Sequence, residues 1–276
     1  MWTEHRLVSF DETPLFYHRL RVPGAKAQVI LQHGMGEHGG RYRHVAEYLA
    51  ALGIESAVPD LRGFGQSGGK RACVRSFSDF HGDLAALHTH LARQSALPLF
   101  LIGHSFGGLV ASSYLAFYSQ ISPVRGLALS SPIFGIAVPV PPWRHALGMT
   151  LSYLFPDHTQ GTRVDASKLT HDPLMLRAYA QDKFIRQIIS ARLYRELVRM
   201  IVRRAEIAHS LKVPALVLQA DQDFIVSREM TVMFYNELAS LDKQLQIYPS
   251  FYHEILNETG RQDVLARLGD WILKRC

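Results

Sequence analysis

The sequence is poor in cysteine and has no long apolar run. Its 276 residues include two cysteines, Cys73 and Cys276, which form neither a disulfide framework nor a metal-ligand spacing and fit a reducing compartment. No apolar stretch reaches the length of a membrane span, because proline, glycine or charge interrupts each one. The first residues carry charge without the apolar core of a secretory signal. We therefore expect a soluble, cytoplasmic protein without a metal site, associated with a membrane at most peripherally.

A nucleic-acid motif is also missing, although basic residues outnumber acidic ones. The formal net charge is +6, with lysine and arginine spread along the chain. No basic segment is interleaved with aromatic residues that would stack on bases, so a nucleic-acid partner is not expected. One modest concentration of charge is either a solvated helix face or a surface attracted to anionic lipid: Arg192, Arg195, Arg199, Arg203 and Arg204.

Short apolar segments alternate with helical patterns over most of the chain. Residues 5–22 alternate apolar and polar positions around a turn signal at 11–14, which predicts an antiparallel hairpin. Further strands are predicted at residues 29–31, 55–60, 99–102, 126–132, 214–219 and 244–248. Helices are predicted at residues 42–52, 77–93, 109–118, 228–241 and 259–274. This alternation predicts an α/β fold, with a mostly parallel sheet covered by helices on both faces.

The alternation breaks between residues 133 and 210. No strand is predicted there, but amphipathic helices are, notably around residues 183–204. So long a departure inside an α/β domain indicates an inserted helical cap. The predicted division is a core of residues 1–132 and 211–276 with a cap of residues 133–210.

The cap begins with an apolar segment, residues 133–143. Prolines interrupt this segment and the residues after it: Pro139, Pro141, Pro142 and Pro156. We expect the segment either to form an exposed apolar lip that contacts a membrane or micelle, or to be buried against the core.

A short apolar strand runs directly into the sequence Gly-His-Ser-Phe-Gly at residues 103–107. Its two glycines allow a turn so tight that Ser105 takes a strained backbone conformation at the start of the next helix. The Ser105 hydroxyl then stands clear of the sheet, which makes it a candidate nucleophile. The alternative is that Ser105 is an ordinary helix N-cap.

A serine hydroxyl needs a base to take its proton and a carboxylate to orient that base. Such groups collect at the carboxyl ends of strands, where His253 follows the last predicted strand and Asp221 and Asp223 follow an earlier one. The chain order Ser, Asp, His is typical of α/β-hydrolases. We favour Asp223 as the orienting carboxylate, because it lies farther into the loop and precedes the apolar residues 224–226. Asp221 fits a turn former.

Acyl transfer also requires N–H donors that bind the developing oxyanion. Phe106, directly after the candidate nucleophile, supplies one such backbone N–H. Met35 supplies the second from the glycine-rich loop that follows the first buried strand. The alternative is that His33 and Gly34 in this loop only turn the chain.

Five segments together resemble the monoglyceride lipase and lysophospholipase family of α/β-hydrolases, also described as serine aminopeptidase S33-like. They are residues 33–38 with 41–42, 60–69, 103–108, 223–226 and 252–258. The resemblance runs from about Val29 to the C-terminal helix and is densest outside the cap. It implies an eight-stranded sheet with a helical cap, a triad of Ser105, Asp223 and His253, and an oxyanion hole formed by Met35 and Phe106.

The resemblance also bears on the polar end of the site. In this family the Gly-Glu-His sequence after the oxyanion residue supports the glycerol or polar head of the substrate. Glu37 and His38 match it here and are second-rank candidates for substrate binding, with bracing of the loop as the alternative. Two positions depart from the family: Ala220 replaces a usual glycine, and Ser227 replaces a common aspartate. The cap resembles the family only loosely, so the exact substrate does not carry over.

Residues and resemblance together predict a serine carboxylester hydrolase that cleaves the acyl ester of single-chain lipids, through an acyl-enzyme, as a monoacylglycerol lipase or lysophospholipase does. The expected partner is a lipid-like small molecule, with transient membrane or micelle contact through the cap. Neither a metal nor an organic cofactor is expected, since the sequence supplies every catalytic role. A peptidase or acyltransferase on the same triad is the alternative among enzymes. A low-turnover ligand-binding protein of this fold is the alternative outside them.

Overall fold

The structure is a computed structural model that describes residues 1–118, 123–138, 140–162 and 164–276. Pro139, one of the prolines of the predicted apolar segment, lies outside the described residues. The strands are β1 (Trp2–Val8), β2 (Pro14–Leu20), β3 (Ala27–Gln32), β4 (Ile54–Pro59), β5 (Leu99–His104), β6 (Val124–Ser130), β7 (Thr159–Gly161), β8 (Ile188–Ser190), β9 (Ala215–Ala220) and β10 (Lys243–Tyr248). The helices are α1 (Arg43–Ala51), α2 (Ser78–Ala92), α3 (Phe106–Phe117), α4 (Pro142–Leu154), α5 (Pro173–Gln181), α6 (Ala191–Val202), α7 (Arg204–Ser210), α8 (Arg228–Glu237) and α9 (Arg261–Leu273).

Eight of the strands form one sheet in the order β1-β2-β4-β3-β5-β6-β9-β10. β2 runs antiparallel to both β1 and β4, and the other neighbours in the sheet are parallel. Every residue of β5 is buried, which explains why its sequence is apolar without alternation. The prediction of a mostly parallel, eight-stranded α/β sheet is confirmed.

Helices cover both faces of the sheet. Successive residues of a strand point to opposite faces, so each strand contributes side chains to two separate cores. In β5, Phe100 and Ile102 pack into one core with side chains of α1 and α9. Leu99 and Leu101 pack into the other core with side chains of α2, α3 and α8. The two cores hold the sheet rigid, so the loops at its carboxyl edge start from fixed positions.

The segment between β6 and β9 contains α4 to α7 and a small antiparallel sheet. Thr159 of β7 pairs with Ser190 of β8, and Gly161 pairs with Ile188. The expectation that this segment has no strand was therefore wrong. The helical pattern predicted around residues 183–204 also begins too early. β8 occupies residues 188–190, and Ser190 caps α6 by accepting the N–H of Leu193 through its hydroxyl.

The predicted apolar segment, residues 133–143, is divided between core and surface. Ile133 and Phe134 are buried, and the Phe134 ring stacks on Phe234 of α8 with ring centroids 3.7 Å apart. Val140 and Trp143 are exposed. Among the described residues, no helix is both long and apolar enough to cross a membrane.

Candidate active site

Ser105 stands in a sharp turn between the end of β5 and the start of α3. Its φ of 51° and ψ of −116° lie in a region that costs a non-glycine residue conformational energy. The glycines on either side make the turn possible. A Cβ at position 103 would lie 2.5 Å from the Gly107 carbonyl oxygen, and a Cβ at position 107 would collide with the Gln32 carbonyl oxygen. Ser105 does occupy the N-cap position of α3, but its hydroxyl makes no capping hydrogen bond to this helix, all of which is described.

The structure brings the side chains of Ser105, His253 and Asp223 together in one hydrogen-bonded chain. His253 Nε2 lies 2.9 Å from Ser105 Oγ, and His253 Nδ1 lies 2.8 Å from Asp223 Oδ2. An ionised carboxylate only accepts hydrogen bonds, so Nδ1 carries the proton and Nε2 is left to accept the serine hydroxyl. This arrangement can move the Ser105 proton to His253.

The charges in this chain stabilise each other. Burial by itself would lower the pKa of His253, but the adjacent Asp223 carboxylate, with Glu254 and Glu37 farther away, raises it above the usual value. Burial would raise the pKa of Asp223, but the charge and hydrogen bond of His253 hold it below the usual value. Asp223 therefore stays ionised, and His253 is a stronger base than an isolated buried imidazole.

The two candidate aspartates have different surroundings. The second oxygen of Asp223, Oδ1, accepts the N–H groups of Ile225 and Val226 at 2.9 Å each, which fixes the carboxylate in its loop. Asp221 instead pairs with Arg228 at 2.5 Å. Only Asp223, of these two, lies beside the imidazole.

Met35 and Phe106 carry the two backbone N–H groups that are predicted to bind the oxyanion. Met35 lies in the β3–α1 loop, residues 33–42, and lines the same cavity as Ser105. Phe106 is the first residue of α3. Within the described ranges, neither N–H has a hydrogen-bond acceptor, so both are available to a bound oxygen atom.

The peptide plane that bears the Met35 N–H is fixed by His33. The Gly34 carbonyl, which belongs to the same peptide group, lies 2.7 Å from His33 Nδ1. His33 Nε2 accepts the Leu61 N–H at 2.9 Å, so Nδ1 must be the protonated, donating nitrogen. Because the peptide group is planar, holding its carbonyl also sets the direction of its N–H.

Glu37 braces the same loop from inside. Its buried carboxylate accepts the Gly34 N–H and the Tyr42 hydroxyl at 2.6 Å each, and it pairs with Arg41. Burial would raise the pKa of Glu37, but the Arg41 charge lowers it to about 2. Glu37 also lines the cavity. Its oxygens are already occupied by partners within the loop.

His38 is placed differently from Glu37. Its Nε2 lies 2.7 Å from Asp182 Oδ2, in the segment between β6 and β9. Its Nδ1 accepts the Gly40 N–H at 3.2 Å. His38 is not among the described residues that line the cavity, so it links the β3–α1 loop to a neighbouring element.

Sequence reasoning assigned no role to an ion pair beside His253. Arg41 holds Glu254 through two hydrogen bonds of 2.8 and 2.7 Å, and the Tyr179 ring lies 5.0 Å from the guanidinium. The pKa of Glu254 is lowered, because the Arg41 charge outweighs the effect of burial. Arg41 and Glu254 both lie in the segments that carry the family resemblance, and this resemblance is the sequence signal that could have pointed to them.

A cavity of about 420 Å³ lies above Ser105 and His253. Much of its wall is apolar and includes Ile133, Ile136, Val138, Trp143, Leu147 and Leu197. The polar part of the lining, called the polar end below, is a cluster of side chains in contact with one another: Glu37, Arg41, Glu254, Tyr179 and Gln187. Gln160 also lines the cavity. Across the described ranges, no three His, Cys, Asp or Glu side chains are grouped to hold a metal ion. The cavity therefore suits an amphipathic molecule with a polar group near Ser105.

Comparison with known proteins gives consistent matches. A monoacylglycerol lipase from Mycolicibacterium smegmatis is 32% identical over 89% of this chain and 87% of that protein. Phospholipase YtpA from Bacillus subtilis is 32% identical over 86% of this chain and 92% of that protein. An uncharacterized abhydrolase domain-containing protein from Dictyostelium discoideum is 29% identical over 90% of this chain, which spans only 26% of that protein.

A solved structure and a family model agree with these matches. The monoacylglycerol lipase from Paleococcus ferrophilus superposes with a TM-score of 0.87 and 26% identity, covering 95% of this chain and 99% of that one. The family model described as serine aminopeptidase, S33, matches residues 23–260. The chain therefore belongs to the serine aminopeptidase S33 family and is a serine hydrolase with the α/β-hydrolase fold.

Proposed function

We propose that this chain is a carboxylester hydrolase for single-chain lipids, acting on monoacylglycerols or lysophospholipids. The observation that carries the proposal is the Ser105 hydroxyl, hydrogen-bonded to His253 on the floor of a cavity with a long apolar wall and a polar end. Two relatives that cover most of the chain support it, since one is named a monoacylglycerol lipase and the other a phospholipase.

In the acylation step, Ser105 Oγ attacks the ester carbonyl carbon while His253 Nε2 takes the hydroxyl proton. The carbonyl π electrons move to oxygen, and the N–H groups of Met35 and Phe106 bind the resulting oxyanion. Asp223 holds the imidazolium that forms. The intermediate collapses, the bond to the leaving alcohol breaks, and the alcohol oxygen takes the proton from Nε2. The acyl group remains on Ser105.

In the deacylation step, water takes the place of the alcohol. His253 Nε2 removes a proton from the water as its oxygen attacks the acyl carbon. The same two N–H groups bind the second oxyanion, which collapses by breaking the bond to Ser105 Oγ. That oxygen recovers the proton from His253, and the fatty acid leaves. After the two steps Ser105 and His253 have their original protons, and neither step is an oxidation or a reduction, so the proposed mechanism requires no cofactor.

The lining of the cavity supports the assignment of a lipid substrate. The acyl chain lies along the apolar wall, where burial of each methylene contributes about 0.8 kcal/mol. The head group occupies the polar end, beside Tyr179 and Gln187, which already share a hydrogen bond of 3.1 Å. Glu37 acts through the loop that it braces, and His38 acts through its contact with Asp182, so we assign neither to direct contact with the substrate.

We also propose that residues 133–210 form the cap over this site. The apolar wall comes largely from this segment, including Val138, Trp143, Leu147 and Leu197. The core, residues 1–132 and 211–276, supplies Ser105 and the loops around it. Substitutions in the cap should therefore change acyl-chain preference without changing the order of the chemical steps.

The outer face of the cap supports transient contact with a lipid surface. Trp143, Leu147 and Leu154 recur at spacings of four and seven residues on α4, so they share one helix face, and all three are exposed. Trp143 and Leu147 also line the cavity, so this apolar face continues into the site. The Arg144 guanidinium lies 5.0 Å from the Trp143 ring, which adds positive charge to the face. We assign it to an anionic bilayer or micelle.

Hydrolysis of a substrate panel tests the proposed function. The panel contains p-nitrophenyl esters of rising chain length, a monoacylglycerol, a lysophosphatidylcholine, a triacylglycerol and an aminoacyl anilide. We expect turnover of the single-chain lipids and none with Ser105→Ala, and labelling of the wild type alone by a fluorophosphonate. Cleavage restricted to the anilide would indicate a peptidase. A wild type that takes up no label would indicate a ligand-binding protein.

A further inference from the structure

The α5–β8 connection, residues 182–187, rests directly on the β3–α1 loop that carries Met35. The Arg186 N–H donates to the Gly36 carbonyl at 2.8 Å. Asp182 Oδ2 lies 2.7 Å from His38 Nε2. The rings of Phe184 and His38 pack with centroids 5.4 Å apart. This connection therefore holds the loop at the residues that immediately follow Met35.

Gly36 allows the two backbones to approach this closely. Its φ of +82° lies in the left-handed region, and a Cβ there would lie 2.8 Å from the Arg186 carbonyl oxygen. Glycine removes both the strain and the collision. The contact is thus made backbone to backbone, and a small shift of the connection moves the loop with it.

The side-chain contact has a defined direction. His38 Nδ1 accepts the Gly40 N–H, so the ring proton is on Nε2, which donates to Asp182 Oδ2. The other oxygen, Asp182 Oδ1, accepts the Phe184 N–H at 2.8 Å. One carboxylate therefore shapes the α5–β8 connection and also attaches it to the β3–α1 loop.

We propose that Asp182 is a positioning residue for the oxyanion donor at Met35. The inference rests on the proposed function, in which this N–H binds the oxyanion. The two residues on either side of Met35 are already held, Gly34 by Glu37 and Gly36 by Arg186. Asp182 secures the second of these contacts, because it fixes the connection that presents the Arg186 N–H.

If Asp182 has this role, its loss should weaken binding of the transition state but not binding of the substrate. A displaced donor weakens the oxyanion contact, whereas the acyl chain and head group still contact the rest of the cavity. Loss of the Asp182 contact should therefore lower kcat and leave KM near its wild-type value. A general loss of folded enzyme would instead lower the fraction of active sites.

The test uses Asp182→Asn, His38→Asn and the double variant in the full chain. Asparagine at 182 can still accept the Phe184 N–H, but its amide nitrogen then faces His38 Nε2–H, donor against donor. Asparagine at 38 can accept the Gly40 N–H but is too short to reach residue 182. Asp157→Asn is the matched control. Asp157, like Asp182, lies in the segment between β6 and β9, but it pairs with Lys70 at 2.9 Å and not with the β3–α1 loop.

Active sites are first counted by fluorophosphonate titration, and kcat and KM are then measured on a p-nitrophenyl ester. We expect each single variant to lose about tenfold to a hundredfold in kcat per active site. The double variant should be no slower than the slower single variant, since both remove one contact. An alkyl trifluoromethyl ketone, which forms an oxyanion on Ser105, should bind more weakly by a similar factor. The inhibition constant of the free fatty acid should be the same in the Asp182 and His38 variants as in the wild type. The kcat and KM of Asp157→Asn should also equal the wild-type values.

The outcomes distinguish this inference from the proposed function. A wild type that reacts with neither ester nor fluorophosphonate would overturn both. A reactive wild type with an equally fast Asp182→Asn variant would overturn the inference alone. Losses in the two single variants that multiply in the double variant would also overturn it, because the two side chains would then act separately.

Discussion

At the residue scale, the site depends on which ring nitrogen of each histidine carries the proton. The Asp223 carboxylate fixes the proton of His253 on Nδ1, and the Leu61 N–H fixes the proton of His33 on Nδ1. His104, whose ring centroid lies 4.9 Å from that of His253, stays neutral because burial and the His253 charge lower its pKa to about 4. Burial also lowers the pKa of His33, so His33 and His104 are neutral near neutral pH, whereas the raised pKa of His253 lets that imidazole take up a proton in this range.

Replacing Asp223 tests the assignment of the orienting carboxylate. In Asp223→Asn the amide can donate to Nδ1, which turns His253 into the tautomer that cannot accept the Ser105 proton. We expect kcat to fall by about 10⁴-fold, the size of loss that a wrong tautomer causes in such triads. The measurement is steady-state hydrolysis of a p-nitrophenyl ester.

Asp221→Asn is the control for this substitution. Its partner Arg228 is 42% exposed, and a surface ion pair of this kind contributes about 1 kcal/mol or less. We expect its kcat to stay within about twofold of wild type. A large loss in Asp221→Asn with little loss in Asp223→Asn would reassign the role to Asp221.

The pH dependence of kcat/KM follows from the shifted pKa of His253. Only the neutral imidazole accepts the Ser105 proton, so activity falls as the pH drops through this pKa. Burial lowers the pKa, but the Asp223 charge more than offsets that effect, so the fall should be centred above about 6.5. In Asp223→Asn the main offset to burial is lost and only the smaller effects of Glu254 and Glu37 on the pKa of His253 remain, so the residual activity should fall at a lower pH. A wild-type midpoint below that of the variant would contradict this account.

Some of these residues were predictable from the sequence, and others were not. Ser105 and His253 each lie in a loop at the carboxyl edge of the sheet, and strand patterns alone locate that edge. The pairing of Arg41 with Glu254 could not be read in this way. Its partners are 213 positions apart, and which cation meets which carboxylate depends on how two loops are packed.

At the scale of elements, the turn between β5 and α3 depends on glycines at positions where a side chain would collide with the backbone. We expect Gly103→Ala to destabilise the protein by about 1–3 kcal/mol or more, because its methyl group would lie 2.5 Å from the Gly107 carbonyl oxygen. Urea unfolding measures the change. Gly161→Ala is the control, since the nearest atom to its Cβ would be 3.8 Å away, and its effect should stay within about 0.5 kcal/mol. Equal stability of the two variants would contradict the proposed collision.

The strands that the sequence analysis missed lack the residue patterns by which strands are predicted. β7 consists of Thr159, Gln160 and Gly161, all exposed and none of them apolar, so neither alternation nor an apolar run marks it as a strand. It forms because β8, which lies 27 residues farther along, supplies a backbone partner. Seven of the eight strands of the main sheet contain buried residues, and burial leaves a signal in the sequence. β1 contains none, but its partly buried and exposed positions alternate.

At the scale of the whole molecule, the two edges of the sheet have different roles. The loops after β3, β5, β9 and β10 carry the candidate catalytic groups at the carboxyl edge, which is where we propose that the cap lies. Leu241 precedes β10 and so lies at the opposite edge, where it is fully exposed. An exposed apolar side chain at that edge has no route to the cavity, whereas the apolar face of α4 leads into it.

This asymmetry predicts which exposed apolar side chains hold the protein on a lipid surface. Leu154 and Phe155, at the end of α4, are 66% and 63% exposed and are not among the described residues that line the cavity. We expect Leu154→Ser with Phe155→Ser to weaken binding to vesicles containing anionic lipid by about tenfold or more, because each side chain loses the gain from burial in the acyl region. Co-sedimentation with vesicles measures this effect.

The controls for this prediction are a substitution at the other edge of the sheet and a change of salt. Leu241→Ser removes a leucine that is even more exposed than Leu154 and should leave vesicle binding unchanged. The double variant should hydrolyse a dissolved short-chain ester at the wild-type rate, since the change is remote from Ser105. Wild-type binding should weaken as salt rises, because salt screens the attraction between the arginines of the cap and the lipid. Equal losses of binding in the double variant and in Leu241→Ser would show that exposed apolar area alone, without the orientation of the site, determines attachment.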